Sequence, residues 1–351
     1  MISVEQLKLL IHLKQYGVAD KETCHLFVSD NALRPLLRYK YISYHDWVYR
    51  LLKKGAEETA HIQPLVTVNG NPGVIERALK TSRLAALFVK LGIQSAGVLR
   101  DNVFIPSNKW REIRKGVLST ARFNGMLIHN GIKLAVYDIG RGNMDWQAFA
   151  EGSLFYQKYG NYQNQPTGML LVCDGDPIGI AEQILRYTIS NRKALMKRTR
   201  LETDKKWSYS TGPIRLRPNY ERVYITDTGG LAETLRMAEC AKKFVDYFME
   251  YLHGTDGQYG YDVDVHPMRY FVNPQGDLLK FAKCFDTVKS NVKYNEAVKA
   301  SGKPAPQVDY HMILSQKYER IVKMYDLPFS YTIVKDSFIQ EMLYGTDSEE
   351  H

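Results

Sequence analysis

The tightest constraint on the fold lies in the first sixty residues, where three short helical patterns run directly into two β-prone runs. Ser3 is a good N-cap, and Gln6 three residues later completes a capping box. Val4, Leu7, Leu9, Leu10 and Leu13 then recur at helical spacing, and Gly17 suits the left-handed residue that closes a helix. Asp20 can cap a second, short helix through Phe27. Ser29 can cap a third, with Leu33, Leu36 and Leu37 turned inward. Pro35 removes a backbone donor there, so a kink or a delayed start is expected. Tyr41–Tyr44 and Trp47–Leu51 flank a polar His45-Asp46 break and predict a hairpin, followed by a basic Lys53-Lys54-Gly55.

Three helices and then a hairpin are the order of a winged helix-turn-helix, expected here over residues 1–60. The polar positions of the third helix are Ser29, Asn31, Arg34, Arg38 and Lys40. Amide and guanidinium groups match the donors and acceptors of base edges in the major groove, and cations suit the phosphates beside them. Arg34 and Arg38 are four apart and share one face. The wing would offer His45, Arg50, Lys53 and Lys54 to phosphate or minor groove. Residues 1–60 hold nine Lys/Arg and seven Asp/Glu, a net of +2, so a winged helix used for protein contacts stays open.

Composition adds bounds rather than direction. With 351 residues and 44% hydrophobic content the chain can bury a core, and its net charge of +9 is compatible with a polyanionic partner. Cys24, Cys173, Cys240 and Cys284 show no CxxC spacing, the pattern of a reduced intracellular protein without a structural zinc. The start, MISVEQLKLL, lacks the features of a signal peptide, and no apolar run approaches the roughly 18 residues of a membrane span. A soluble, cytoplasmic protein is the expectation.

Residues 61–73 hold Gln63-Pro64, Asn69-Gly70 and Asn71-Pro72-Gly73, loop punctuation that predicts a linker. Beyond it, residues 74–345 read as an α/β domain, and 346–351 as a frayed acidic tail. A helix is expected from about Val74 to Leu91, and Asn130-Gly131 between two apolar runs predicts a type I′ hairpin. A helix over Trp146–Tyr159 follows. Met169–Cys173 and Val223–Ile225 read as short buried strands, each followed by a helix, Pro177–Ser190 and Leu231–His253. Arg269–Phe285 reads as a further hairpin around Asn273-Pro274-Gln275-Gly276, and Asp309–Tyr325 as a last helix.

The run Leu7 to Glu58, ending Val48-Tyr49-Arg50-Leu51-Leu52-Lys53-Lys54-Gly55, resembles the N-terminal winged helix of the replication-relaxation family. The resemblance covers about one sixth of the chain. It implies a protein of plasmids and conjugative elements, acting in replication or at a transfer origin, whose winged helix precedes a nuclease-like core. An active core of that kind needs Pro-Asp and then Asp/Glu-x-Lys to hold a metal. This chain has Ile105-Pro106-Ser107 and Asp138-Ile139-Gly140 instead, although Asp138, Asp145 and Glu151 could still meet in space. A degenerate scaffold or a different fold is therefore expected in place of an active core. No His-hydrophobic-His pair supports a relaxase. His266-Pro267-Met268-Arg269 matches the His-x-x-Arg of a tyrosine recombinase, but Pro267 points to a strand edge.

Asp174-Gly175-Asp176 and Thr226-Asp227-Thr228-Gly229-Gly230 each sit between a strand and a helix, where a capped turn or a ligand site would both fit. Residues 192–217 carry nine Lys/Arg against two acids, with Trp207 and Tyr209 interleaved, so Lys197, Arg198 and Arg200 are candidates for a second DNA contact or for a solvated insertion. The expected function is sequence-specific binding of double-stranded DNA on a mobile element. No catalytic residue, metal ligand or cofactor is assigned. Partners would be that DNA and other replication or transfer proteins, and a homodimer would suit a two-fold site. The alternatives are a metal-dependent nuclease guided by the winged helix and a ligand-sensing transcriptional regulator.

Overall fold

The computed structural model describes residues 2–62, 65–68, 70–93, 103–109, 123–140, 167–190, 221–257 and 261–345. The chain is a mixed α/β protein whose contacts divide it into two units, Met1–Asp138 and Ile139–His351. Among the described residues no helix is long and apolar enough to cross a membrane. The helix expected over Trp146–Tyr159, the basic segment 192–217 and the tail 346–351 lie outside the described residues.

The first unit opens with α1 (Val4–Tyr16), whose Ser3–Gln6 capping box forms and whose C-terminal Gly17 is left-handed. Next come α2 (Lys21–His25), capped by Asp20, and α3 (Asp30–Arg38). Ser29 stands at the N-cap of α3 but its side chain makes no capping bond. Leu9, Leu10 and Leu13 pack with Cys24, Leu33, Leu36 and Ile42 in one buried cluster. Each fully buried leucine contributes about 1.5–3 kcal/mol by leaving water, which is enough to hold helices too short to persist alone.

Strands β1 (Ile42–His45) and β2 (Val48–Leu51) then pair antiparallel, from Ile42 opposite Leu51 to His45 opposite Val48. The turn residues are Asp46 and Trp47, both at positive φ. The expected turn was one residue earlier, at His45-Asp46. The ladder decides the difference, because pairing His45 with Val48 leaves only the following two residues to reverse the chain.

Lys53 and Lys54 do not extend the hairpin but open α4 (Lys53–Glu58). A Cβ on Gly55 would lie 2.4 Å from the Tyr41 carbonyl oxygen, so only glycine lets α4 pack this close. The buried Lys14 ammonium donates to the Thr59 and Ala56 carbonyls at the C-terminal end of α4, a favourable place for a cation.

The loop 61–73 was expected to separate domains, yet the contact division falls elsewhere. The next helix, α5 (Pro72–Lys90), is capped by Asn71 and packs against α1 and α2 within the first unit. Its Leu79 joins Val18 and Val48, and its buried Ser82 hydroxyl lies 2.8 Å from His12 Nε2. A helix with an apolar face buries it against the nearest complementary surface, whatever the loop before it looks like. Strands β3 (Val103–Pro106), β4 (Gly125–His129) and β5 (Ile132–Gly140) form an antiparallel run, with Asn130-Gly131 at positive φ in the expected turn. The division between units falls inside β5.

In the second unit, β6 (Gly168–Cys173) and β7 (Arg222–Asp227) pair in parallel, and α6 (Pro177–Ser190) follows β6. The single helix expected over Leu231–His253 is two, α7 (Leu231–Glu239) and α8 (Ala241–Tyr251), broken at Cys240 where ψ is 1°. A second sheet has the order β12 (Ser330–Val334), β11 (Asp309–Ser315), β10 (Met268–Asn273), β9 (Val263–Val265), β8 (Thr255–Asp256). Its first three strands are parallel and the last two antiparallel. α9 (Leu278–Ala300), α10 (Glu319–Lys323) and α11 (Asp336–Tyr344) complete the unit.

Two expectations fail here for stated reasons. Arg269–Phe285 is not a hairpin, because the turn after β10 starts α9. Asn273 Oδ1 accepts from the Asp277 N–H at 2.8 Å, and Asp277 then caps α9 through the Leu279 N–H at 2.9 Å. Gly276, at φ +71°, has the Tyr318 ring where a Cβ would go. Asp309–Tyr325 is not a helix either, since its first half is β11, a strand flanked on both sides and mostly buried. A strand buried on both faces reads as a continuous apolar run, which periodicity does not distinguish from a buried helix.

His12 generates a prediction. It is buried between the Tyr16 and Phe27 rings, and desolvation pushes its pKa down to about 3. The folded value lies below the unfolded value of about 6.5, so unfolding takes up a proton. Stability from this residue is therefore present above about pH 6.5 and is lost toward about pH 3. Thermal melts between pH 7 and 4.5 should show a decline of up to ~1.4 kcal/mol per pH unit that His12→Gln flattens. A profile identical in both proteins would contradict a neutral, buried His12.

Candidate nucleic-acid interface

Helix α3 sorts its residues by burial. Leu33 and Leu36 are buried and Leu37 is partly so, whereas Ser29, Asn31, Arg34 and Arg38 are exposed. At about 100° per residue, Asn31, Arg34 and Arg38 fall within an arc of roughly 60°, opposite the leucines. Pro35 does not delay the helix, which runs from Asp30 to Arg38. It supplies no N–H to the Asn31 carbonyl, which is cheap because that residue faces solvent. The one carboxylate on α3, Asp30, is paired by Lys21 at 3.3 Å and His25 at 3.1 Å. The His25 hydrogen bond, followed by that from Lys21, holds Asp30 below the usual carboxylate range.

Lys40 lies just past α3. The Tyr41 N–H donates to the Leu36 carbonyl and the Lys40 N–H to that of Leu37, a Schellman closure that sets Lys40 at φ +57°. Glycine is the usual occupant of that position. The exposed Lys40 side chain therefore leaves the helix end instead of lining its face.

Folding back of α4 brings together cations that are distant in sequence. Lys54 Nζ sits 4.3 Å from the Tyr41 ring centroid and 5.9 Å from that of Tyr39, and Arg38 Cζ sits 5.8 Å from Tyr39. Arg38 and Lys54 thus share one exposed aromatic platform, a geometry in which cation and ring attract. Lys53 is exposed beside it on α4. Sequence reading placed Lys53 and Lys54 on the hairpin and passed over Tyr39 and Tyr41. The alternation Arg38-Tyr39-Lys40-Tyr41 was the signal available for that patch.

The hairpin is anchored on one edge. Tyr49 N donates to the Ala19 carbonyl at 2.7 Å and Ala19 N to the Tyr49 carbonyl at 3.1 Å. Arg50 is half-buried opposite Ser43, and His45 is exposed at the turn with Nδ1 3.2 Å from Asp46 Oδ1. Lys197, Arg198 and Arg200 lie outside the described residues.

The other motifs have structural employment. Asp176 Oδ1 accepts from the Ile178 N–H at 3.0 Å, and Arg320 bridges Asp176 (3.2 Å) and Glu182 (2.6 Å). These three border a polar cleft of about 410 Å³. The Gly179 N–H foremost, then Arg320, holds the Asp176 carboxyl low. Asp227 Oδ1 accepts from the Gly230 N–H at 2.5 Å. Asp176 caps the first βα connection, and in the second Asp227 holds the N–H of Gly230, the residue at the N-cap of α7.

Arg269 stands on strand β10 between Asp264 and the Tyr261 ring, so the His266-x-x-Arg269 match is not on a helix. Asp138 lies on β5, and Asp145 and Glu151 lie outside the described residues. Among the described residues no group of three His, Cys, Asp or Glu side chains is placed to hold a metal.

No protein-family model matches the chain, no curated protein matches its sequence, and no solved structure matches its fold.

The left-handed Lys40 gives a direct test of this geometry. A non-glycine residue there costs about 1 kcal/mol of backbone strain, partly offset by the greater freedom of an unfolded glycine. Lys40→Gly should stabilise the first unit by roughly 0.5 kcal/mol in denaturant unfolding, and a destabilised variant would contradict the Schellman closure.

Proposed function

We propose that residues 3–58 are a winged helix-turn-helix that binds double-stranded DNA with sequence preference, with α3 as the recognition helix and the β1–β2 hairpin as the wing. The observation that carries the reading is the exposed face of Asn31, Arg34 and Arg38 on a helix held from behind by Leu33 and Leu36. Bidentate Arg–guanine and Asn–adenine contacts require such a rigid presentation. Between Ser29 and Lys54 the cations are Arg34, Arg38, Lys40, Arg50, Lys53 and Lys54, against Asp30 and Asp46. Asp30 is already paired within the unit, while Glu57 and Glu58 at the far end of α4 are exposed, so the cationic excess toward a phosphate backbone is local to α3 and the start of α4.

If the resemblance to replication-relaxation proteins holds, this activity belongs to a plasmid or conjugative element, in replication, transfer or local regulation. The rest of the chain is read as a scaffold without nuclease chemistry, in keeping with Ser107 where an active core needs an acid. A ligand-sensing role gains little support from the two βα turns, whose Asp176 and Asp227 already hold backbone N–H groups of their own turns.

The experiment is selection of a cognate duplex from random sequence, followed by titration of Arg34→Ala and Arg38→Ala on it and on singly substituted duplexes. Each variant should bind more weakly, and at least one should lose discrimination at one base pair, by about 1–3 kcal/mol for a bidentate contact. Melting should stay at the parent value, because neither side chain is in the core. Normal melting with parent-like binding in both variants would leave a protein-contact module as the better account.

A further inference from the structure

The hairpin tip carries a residue that turn chemistry does not call for. A two-residue turn with both central residues at positive φ favours Asn-Gly. The chain uses that pair at another such turn, Asn130-Gly131, with φ +45° and +80°. At the first hairpin the pair is Asp46-Trp47, with φ +46° and +56°. Asp tolerates the left-handed region, but a bulky indole there is strained. Packing does not offset the strain. Trp47 is 58% exposed and has no ring contact among the described residues, whereas its neighbour Tyr44 rests on Tyr49 at 4.6 Å. Strain held at the surface without a packing return is characteristic of a functional site.

The charges around the tip narrow what the indole meets. Asp46 is exposed beside it with its carboxylate 3.2 Å from His45, so the tip offers a phosphate backbone no unpaired cation. The half-buried cation Arg50 stands three ladder pairs back, opposite Ser43. An aromatic face attracts a base face whatever the sequence, but in an intact duplex that face is covered by the neighbouring pair. The ring can be used only where a base is unstacked.

We propose that Trp47 stacks on an unpaired base, and that the protein prefers a junction of duplex and single-stranded DNA to continuous duplex. The inference rests on the winged-helix reading of the same unit and adds the form of DNA that it selects. It turns the hairpin into a wedge that holds a site open once α3 has located it.

The test compares the full-length protein on two DNAs of one sequence, a blunt duplex and a fork with unpaired arms and 2-aminopurine at the junction. The parent should favour the fork by about tenfold, the scale of a single base–aromatic stack, and should quench the 2-aminopurine. Trp47→Asn should lose the preference and the quenching while melting no lower than the parent, since asparagine suits the left-handed turn. Trp47→Phe should keep most of both. Equal affinity for fork and blunt duplex, still weakened by Arg34→Ala, would overturn this inference alone. A fork preference that survives in Trp47→Asn would also overturn it. Failure to bind either DNA would bring down the winged-helix reading with it and make the exposed indole a contact for protein.

Discussion

Two backbone hydrogen bonds between Ala19 and Tyr49 hold the first unit in the form on which the candidate interface depends. An isolated two-stranded hairpin is marginal in water. Here β2 is paired on one edge by β1 and on the other by the connection between α1 and α2. Val48 and Tyr49 are buried as a result, and the hairpin leaves the helical core at a set place. The same anchoring carries Leu52 to the Tyr41 carbonyl, where Gly55 lets α4 begin. Lys54 reaches the tyrosines beside Arg38 only because each of these steps is made.

Among the described residues of this unit, three of the four non-glycine positions at positive φ fall between Lys40 and Trp47, the fourth being Asn130. Lys40, Asp46 and Trp47 are non-glycine residues at positive φ within eight positions, and all three are exposed. Where the fold itself demands that conformation, as at Gly17 closing α1 or Gly276 under the Tyr318 ring, the chain supplies glycine. At Lys40, which closes α3 as Gly17 closes α1, and at Trp47 the chain keeps a side chain at a cost in strain. That cost supports the proposed reading of this surface independently of its charge.

In the second unit the corresponding constraint is the junction between β10 and α9. Asp277 is buried, and its Oδ1 accepts from the N–H groups of both Val223 on β7 and Leu279 on α9. One carboxyl thus ties a strand of the first sheet of this unit to the helix that leaves the second. Desolvation pushes it up to about 6 despite those bonds. Asn273 completes the junction from the end of β10, so a loop resembling a hairpin turn becomes a helix start.

The sequence by itself determined what depends on neighbours a few residues away. The Ser3–Gln6 box, the Asp20 cap, Gly17, the Asn130-Gly131 turn and the Pro177–Ser190 helix are all local hydrogen-bond or dihedral requirements, and each was legible. So was the division of α3 into a leucine face and an arginine face, because helical spacing alone sets it. Only the tertiary structure decided the rest. The seat of Lys54 on Tyr39 and Tyr41 depends on where α4 turns, and the exposure of Trp47 depends on a ladder register that shifts the turn by one residue. Whether residues 309–315 are strand or helix depends on the presence of β10 and β12 on either side. Apolar runs, loops and lone aromatics have several low-energy uses, and the choice among them is made by burial against partners far along the chain.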